Sequence, residues 1–360
     1  MRGIYIADGS EGGGGGGGGA IYGIPCHADS ILKIIPSTDP AEEDVVTTVS
    51  WDRSDPRAPP RDLKWKWHGG ATSPVDNCFY AIPQAADYVM KLDPSNDDAV
   101  TFLGPPLPGR NLWYGGLVGP SDGAVYGICQ NATGILRIDP VRQDATVCGE
   151  FKEGGYKWHG GVIGPDGNIY GIPAHADAVL RIVPPTDGGA EPEIITFGGP
   201  LRTGSHRSDN KYKYLGGAAG IDGCVYFFPS DADYVLRVNP HDMTAKEVGP
   251  NLRECEALRH NKWQNGFSAR GGRAIYGIPL KARSIVRILC HEDGQSDPDV
   301  KCVGGPYGGL NKWEGGVMSA DGDMYCMPLN CDWVLRMRPV RGKGSGEGNE
   351  DANLVGSQGS

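Results

Sequence analysis

Long apolar runs are missing from this chain. None approaches the ~20 residues that cross a bilayer as a helix. The opening MRGIYIADGS has one Arg and no apolar stretch of leader length. No secretory leader is therefore expected, and a soluble, cytoplasmic protein is. Basic residues are in deficit too: 34 Lys and Arg stand against 44 Asp and Glu, for a net charge of −10. That balance argues against a nucleic-acid partner, because such binding draws mainly on Lys and Arg neutralising phosphates. No membrane partner is expected either. The ten cysteines (26, 78, 129, 148, 224, 255, 290, 302, 326 and 331) contain no Cys-x-x-Cys and no zinc-finger spacing. Several stand inside apolar strand patterns, such as Asn77-Cys78-Phe79-Tyr80. They read as buried free thiols in a reducing compartment rather than as disulfides or metal ligands. Helical periodicity is nowhere sustained, and no nucleophile motif, phosphate loop or metal signature appears.

Glycine and proline are abundant instead: 57 and 28 residues, together about a quarter of the 360. They recur at fixed places between short apolar runs, so they read as turn punctuation rather than disorder. The clearest unit runs Lys157-Trp158-His159-Gly160-Gly161-Val162, then Pro165-Asp166-Gly167, then Ile169-Tyr170-Gly171-Ile172-Pro173, then Val179-Leu180-Arg181-Ile182. Its Tyr recurs at 22, 80, 126, 170, 226, 276 and 325, at gaps of 58, 46, 44, 56, 50 and 49 residues. A Pro three residues later recurs in six copies, with Cys129 in the third. A basic residue recurs in all seven: Lys33, Lys91, Arg137, Arg181, Arg237, Arg287 and Arg336. The Asp-Gly turns and short β-branched runs make each unit four strands. Units of this length and strand count predict an all-β, seven-bladed β-propeller of four-stranded antiparallel blades. The expected boundaries are blade 1 at about 1–60, blade 2 at 61–104, blade 3 at 105–150, blade 4 at 151–200, blade 5 at 201–250, blade 6 at 251–305 and blade 7 at 306–340. A flexible Gly/Ser-rich tail at 341–360 follows. In blade 1, residues 3–8 should supply the first strand, with the Gly12–Gly19 run as a loop. Residues 352–355 are the candidate fourth strand of blade 7.

On these residues the chain resembles the broad class of streptogramin lyases, gluconolactonase-like proteins and NHL-repeat proteins. The fuller Lys-Trp-x-Gly-Gly unit is similar to uncharacterised repeat proteins of microalgae and other protists. The resemblance spans roughly residues 1–340. It implies the propeller fold and, because propellers host many activities, no single chemistry. In gluconolactonase-like enzymes it implies a divalent metal in the channel. Here Glu314 is the one carboxylate on an inner strand.

In a propeller, the loop before strand one and the loop between strands two and three open on one side, around the channel mouth. Two sets of residues map there. The first is the triplet before Gly-Gly: Lys66-Trp67-His68, Leu112-Trp113-Tyr114, Lys157-Trp158-His159, Lys213-Tyr214-Leu215, Lys262-Trp263-Gln264 and Lys312-Trp313-Glu314. Either these side chains form a platform of stacking rings and ammonium groups, or each Trp wedges between blades as architecture. The second set is the variable positions, which gather His27, His68, His159 and His175 together with Asp231, Lys281 and Asn330. Imidazoles there could act as bases or metal ligands near neutral pH. His68, His159, His175 and Tyr114 are the catalytic candidates, and His27, His68, His159 and His175 the metal candidates. A second-loop Asp (29, 87, 177, 233 and 332) is expected to pair with a strand-three Lys or Arg. Blade 6 replaces it with Arg283 beside Lys281, which makes that blade a candidate anion contact. The leading expectation is a non-catalytic binding or scaffold propeller for a protein or an anionic glycan, with no cofactor. The alternative is a lyase- or lactonase-type enzyme acting on a uronate-like substrate in the same funnel, with a divalent metal admitted.

Overall fold

The computed structural model describes residues 3–7, 19–39, 41–187, 190–204, 206–256 and 259–339. Seven antiparallel sheets follow one another along the chain, each ordered as its strands occur in sequence. The fourth, for example, comprises Trp158–Ile163, Ile169–Pro173, Val179–Val183 and Glu193–Phe197. The fifth comprises Tyr214–Ala219, Val225–Pro229, Val235–Asn239 and Thr244–Val248. The sixth comprises Trp263–Ala269, Ala274–Pro279, Ile285–Leu289 and Asp299–Val303. Among the described residues the one helical element is a short turn, Arg270–Gly272. Seven such blades make the chain a seven-bladed β-propeller, as the repeat predicts. Gly3–Ala7 pairs with Gly19–Gly23 and supplies the first strand of blade 1. Blade 7 shows three strands, Trp313–Met318, Met324–Pro328 and Leu335–Met337. The glycine run, the tail and the fourth strand expected at 352–355 lie outside the described residues.

The chain divides into two compact units, residues 1–155 with 184–193, and residues 156–183 with 194–360. In the first, one apolar cluster joins Ile6, Tyr22 and Ile31 of blade 1 to Trp67, Phe79 and Met90 of blade 2. In the second, Tyr170 and Val179 of blade 4 pack with Tyr214 and Phe227 of blade 5, and Phe228 and Val235 of blade 5 pack with Trp263 and Val286 of blade 6. In these pairs each blade completes its neighbour's core. Strand two is buried along its whole length in blades 2 to 6, which is why it reads as a continuous apolar run rather than an alternating one.

The repeated columns are cross-strand partners. Tyr of strand two faces the basic residue of strand three in all seven blades, from Tyr22↔Lys33 to Tyr325↔Arg336. The first-strand aromatic faces the Pro position, as in Trp158↔Pro173 and Trp263↔Pro279. The expected partner of the basic residue is corrected. In blades 3, 4 and 5 it is the Asp of the strand one–two turn, not the second-loop Asp. Arg137 meets Asp122 at 3.1 Å, Arg181 meets Asp166 at 3.3 Å and Arg237 meets Asp222 at 3.0 Å. The same carboxylates accept the Tyr126, Tyr170 and Tyr226 hydroxyls. The tyrosine stands four residues after that Asp and directly across from the basic residue, so the register brings all three together. Blade 1 has no such Asp among its described residues. There Asp98 of blade 2 accepts from both Tyr22 and Lys33.

Candidate functional site

The Lys-Trp triplets turn inward. Trp67, Trp113, Trp158, Trp263 and Trp313 are all buried. Each indole N–H donates to a backbone carbonyl of its own blade's second loop: Tyr88, Gly134, Ala178, Ser284 and Trp333, at 2.8–3.0 Å. Trp67, Trp263 and Trp313 pack into cores shared with the preceding blade, and none of the five buried rings offers a face for stacking a ligand. The lysines follow. Lys66 donates to the His27 carbonyl at 3.1 Å, Lys213 to the His175 carbonyl at 3.1 Å, Lys262 to the Ala232 carbonyl at 2.8 Å and Lys312 to the Ala282 carbonyl at 2.8 Å. These four ammonium groups are buried clasps to the preceding blade rather than an exposed basic circle. Lys157 is half-buried.

Burial pushes Lys213, Lys262 and Lys312 down from 10.5 to about 8. Their folded value lies below the unfolded one. The associated stability is thus complete above pH 10.5 and lost as pH falls through 8. Across pH 8 to 10 these lysines add stability as pH rises, while unfolded thiols, which ionise at about 8.5, subtract it because burial holds Cys78, Cys290 and Cys326 up at about 12. Lys262→Met should make the slope of melting temperature against pH less positive than the parent's in calorimetric scans across that window; an unchanged slope would show that Lys262 does not titrate there.

The variable residue after the aromatic sits at a register shift between Trp158 and Gly161, Trp263 and Gly266, and Trp313 and Gly316. A bulge of this kind re-aims the extra side chain. The structure brings these residues together in pairs. His68 stacks on Tyr114 with ring centroids 4.3 Å apart, and Gln264 donates to Glu314 at 2.8 Å. Leu215 is buried and His159 half-buried. His27 sits edge-on to Trp65 at 4.5 Å. Among the described residues no group of three His, Cys, Asp or Glu side chains converges as metal ligands, so His27, His68, His159 and His175 are not gathered into such a group.

A set that sequence reasoning missed lies one position before each triplet, ahead of five lysines and Leu112. Trp65, Asn111, Tyr156, Tyr212, Asn261 and Asn311 all have φ between 47° and 61°. The geometry is imposed by the residue that follows. Lys213 N–H must reach the Ala174 carbonyl, while the Lys213 carbonyl accepts from Ser230 and Ala232. Asn tolerates this left-handed conformation. For a bulky aromatic it costs about 1–2 kcal/mol. Three blades nevertheless place an aromatic there, and Trp65, Tyr156 and Tyr212 are exposed by 52%, 36% and 38%.

In the second unit these aromatics belong to a connected polar strip. His175 lies edge-on to Tyr212 at 4.5 Å and 5.8 Å from Tyr156. The Arg207 guanidinium stands 5.3 Å over the Tyr212 ring. Asp209 and Asp231 hold that guanidinium. Asp231 is buried and also accepts the Asn261 N–H at 2.7 Å, with His260 Nδ1 at 3.1 Å. His260 neighbours His206 at 5.8 Å between rings, and His206 Nδ1 lies 3.3 Å from Asp233. Burial lowers the His206 imidazole below its ordinary value, with Asp233 opposing. Arg253 reaches Asp233 at 3.8 Å and helps to line an open depression with Asn251, Glu254 and Arg259. Arg283 is exposed and Lys281 half-buried on blade 6. The strip therefore offers aromatic faces at one end and guanidinium groups at the other, joined by two buried carboxylates.

No family model and no curated protein matches the chain. Solved structures do. A streptogramin B lyase superposes with a TM-score of 0.57 at 16% identity, over 91% of this chain and 94% of its own. Virginiamycin B lyase from Staphylococcus aureus gives 0.57 at 15%, over 91% and 95%. A candidate 6-phosphogluconolactonase from Bacteroides uniformis gives 0.56 at 12%, over 87% and 89%. These likenesses carry the β-propeller fold alone. They leave open the similarity to Lys-Trp-x-Gly-Gly proteins of microalgae. No helix among the described residues is long and apolar enough to cross a membrane.

Proposed function

We propose that the protein is a binding propeller that recognises an anionic glycan on the strip of blades 4 to 6. One observation carries the reading: Tyr156 and Tyr212, both exposed, stand on left-handed backbone around His175. Strain kept at exposed aromatics, where Asn would fit, marks a site rather than a scaffold. The rings would stack on sugar C–H faces. Hydroxyl groups would meet His175 and the Asp209 carboxylate, and acidic substituents the guanidinium groups of Arg253 and Arg259. The lyase or lactonase alternative has in its favour the His206–Asp233 and His260–Asp231 pairs, which are base-like arrangements.

A glycan array of neutral, uronate-bearing and sulfated saccharides, read with and without divalent metal, tests the proposal. Retention of an acidic set is expected. Mass spectrometry of the retained glycan distinguishes binding from turnover. Tyr156→Asn and Tyr212→Asn are expected to weaken binding about tenfold each, at ~1.5 kcal/mol per lost stack. The same changes should raise stability by about 1 kcal/mol through relief of strain. An array with no acidic hit, or full affinity in both variants, sinks the reading.

A further inference from the structure

We propose that Cys255 and Cys302 form a disulfide that clips the connection entering blade 6 to the outermost strand of that blade. Their Sγ atoms lie 2.6 Å apart, well inside the separation of sulfurs that merely touch, and across 47 residues of sequence. Both sulfurs are held in place by other contacts. Cys302 lies in the strand Asp299–Val303, opposite Val286, and packs on the blade 5–6 core. Cys255 lies in a turn anchored on both sides. Before it, fully buried Leu252 donates its N–H to the Asp233 carbonyl at 2.9 Å. After it, the buried Glu256 carboxylate accepts the Arg283 N–H at 2.7 Å and the Ser284 hydroxyl at 3.2 Å. The Arg253 N–H is taken by the Asn251 side chain at 3.0 Å. A turn fixed at four points leaves the two thiols facing each other.

The chemistry requires an oxidant, and a small-molecule disulfide such as oxidised glutathione suffices. Cys255 is exposed, whereas Cys302 is half-buried. Burial, with the hydrogen bond to Cys255, pushes the Cys302 thiol up to about 12. Cys255 is thus the thiol that meets the oxidant. Its thiolate attacks one glutathione sulfur, forms a mixed disulfide and releases one glutathione thiolate. The Cys302 thiolate then attacks the Cys255 sulfur and releases the second. Two thiol protons and two electrons leave the protein, and two glutathione thiols take them up. This pair departs from the expectation that every cysteine behaves as a small buried hydrophobe. It stands apart from the glycan reading and does not depend on it.

The test equilibrates the full chain in glutathione buffers of graded oxidised-to-reduced ratio, then alkylates it under denaturing conditions. Ten alkylated thiols are expected in reducing buffer and two fewer in oxidising buffer, with Cys255 and Cys302 recovered as one cross-linked peptide. Closing a loop of this length should raise the melting temperature by several degrees on oxidation. Cys255→Ser and Cys302→Ser should each abolish both changes, and the exposed Cys255→Ser should leave the reduced protein's melting unaltered. Ten free thiols at every ratio, or a cross-link joining other cysteines, would overturn the proposal.

Discussion

Asp222→Ala is expected to destabilise the protein by about 3–5 kcal/mol, the range for stranding one member of a buried ion pair. Asp222 is the hub of its blade. One carboxylate oxygen accepts the Tyr226 hydroxyl at 2.7 Å and the Arg237 guanidinium at 3.0 Å, and the other accepts the Cys224 N–H at 3.2 Å. The side chains of Asp222 and Arg237 are only 1% and 10% exposed. Removing the carboxylate leaves Arg237 with only neutral partners, the Gly294 and Ser296 carbonyls and the Cys224 sulfur, and takes from Tyr226 the acceptor of its hydroxyl. Burial, with Asp222 next in order, already drives the Tyr226 hydroxyl far above its ordinary value. Asp222→Asn should lose less, since an amide oxygen can still accept from Tyr226. Asp321→Ala is the control. In blade 7 the exposed Asp321 yields its place to Asp323, which holds both Arg336 and Arg338. A loss within about 1 kcal/mol is expected there. Denaturant titration of the three variants decides the matter. Equal losses in Asp222→Ala and Asp321→Ala would show that the three-way contact does not govern stability.

Gly216→Ala is expected to cost about 3 kcal/mol, the upper part of the range for overpacking. A Cβ at that position would stand 2.3 Å from the Asn265 nitrogen and 2.6 Å from its Cα. Those are backbone atoms of the next blade's first strand, so no side chain can swing aside. Gly223→Ala makes the contrast. Its Cβ would meet nothing within 4 Å, and the cost there arises from a φ of +78° alone, about 1–2 kcal/mol. Thermal melts of both variants separate the two causes. A Gly216→Ala protein as stable as Gly223→Ala would mean that the first strands of blades 5 and 6 can part without penalty.

This crowding gives the Gly-Gly column its physical reason, and the sequence displays the column without the reason. Much of the architecture was legible in the same way. The spacing of Tyr, Pro and the basic residue yields the blades, because those columns are cross-strand neighbours and keep a fixed register. The partner of the basic residue was not legible. Asp166 and Asp177 stand 15 and 4 residues from Arg181, and only the fold of the hairpin shows that the more distant one is nearer in space. The candidate site was legible in part. His175 lies in the strip, and Asp231 does too, but as a buried anchor. Trp67, Trp263, Trp313 and their lysines belong to the blade junctions. Recurrence in nearly every blade could not by itself separate a wedge from a platform. Tyr156 and Tyr212 escaped because an unusual φ has no signature in a single residue. The clue was present only as an alternation of aromatic and Asn one step upstream. Arg207 and His206 sit in the long connection ahead of the first strand of blade 5, outside the repeated columns.

The lysine clasp has a consequence for how such a protein can be shortened, lengthened or permuted. Lys213, Lys262 and Lys312 each commit an ammonium to carbonyls of the sheet before their own. A single repeat cut at its strand boundaries would carry a cation without its upstream carbonyl and would leave that carbonyl oxygen bare. The transferable module therefore runs from one carbonyl-bearing turn through the following lysine, out of phase with the sheets. Insertions that respect this offset phase should be absorbed, and those cut at sheet edges should not.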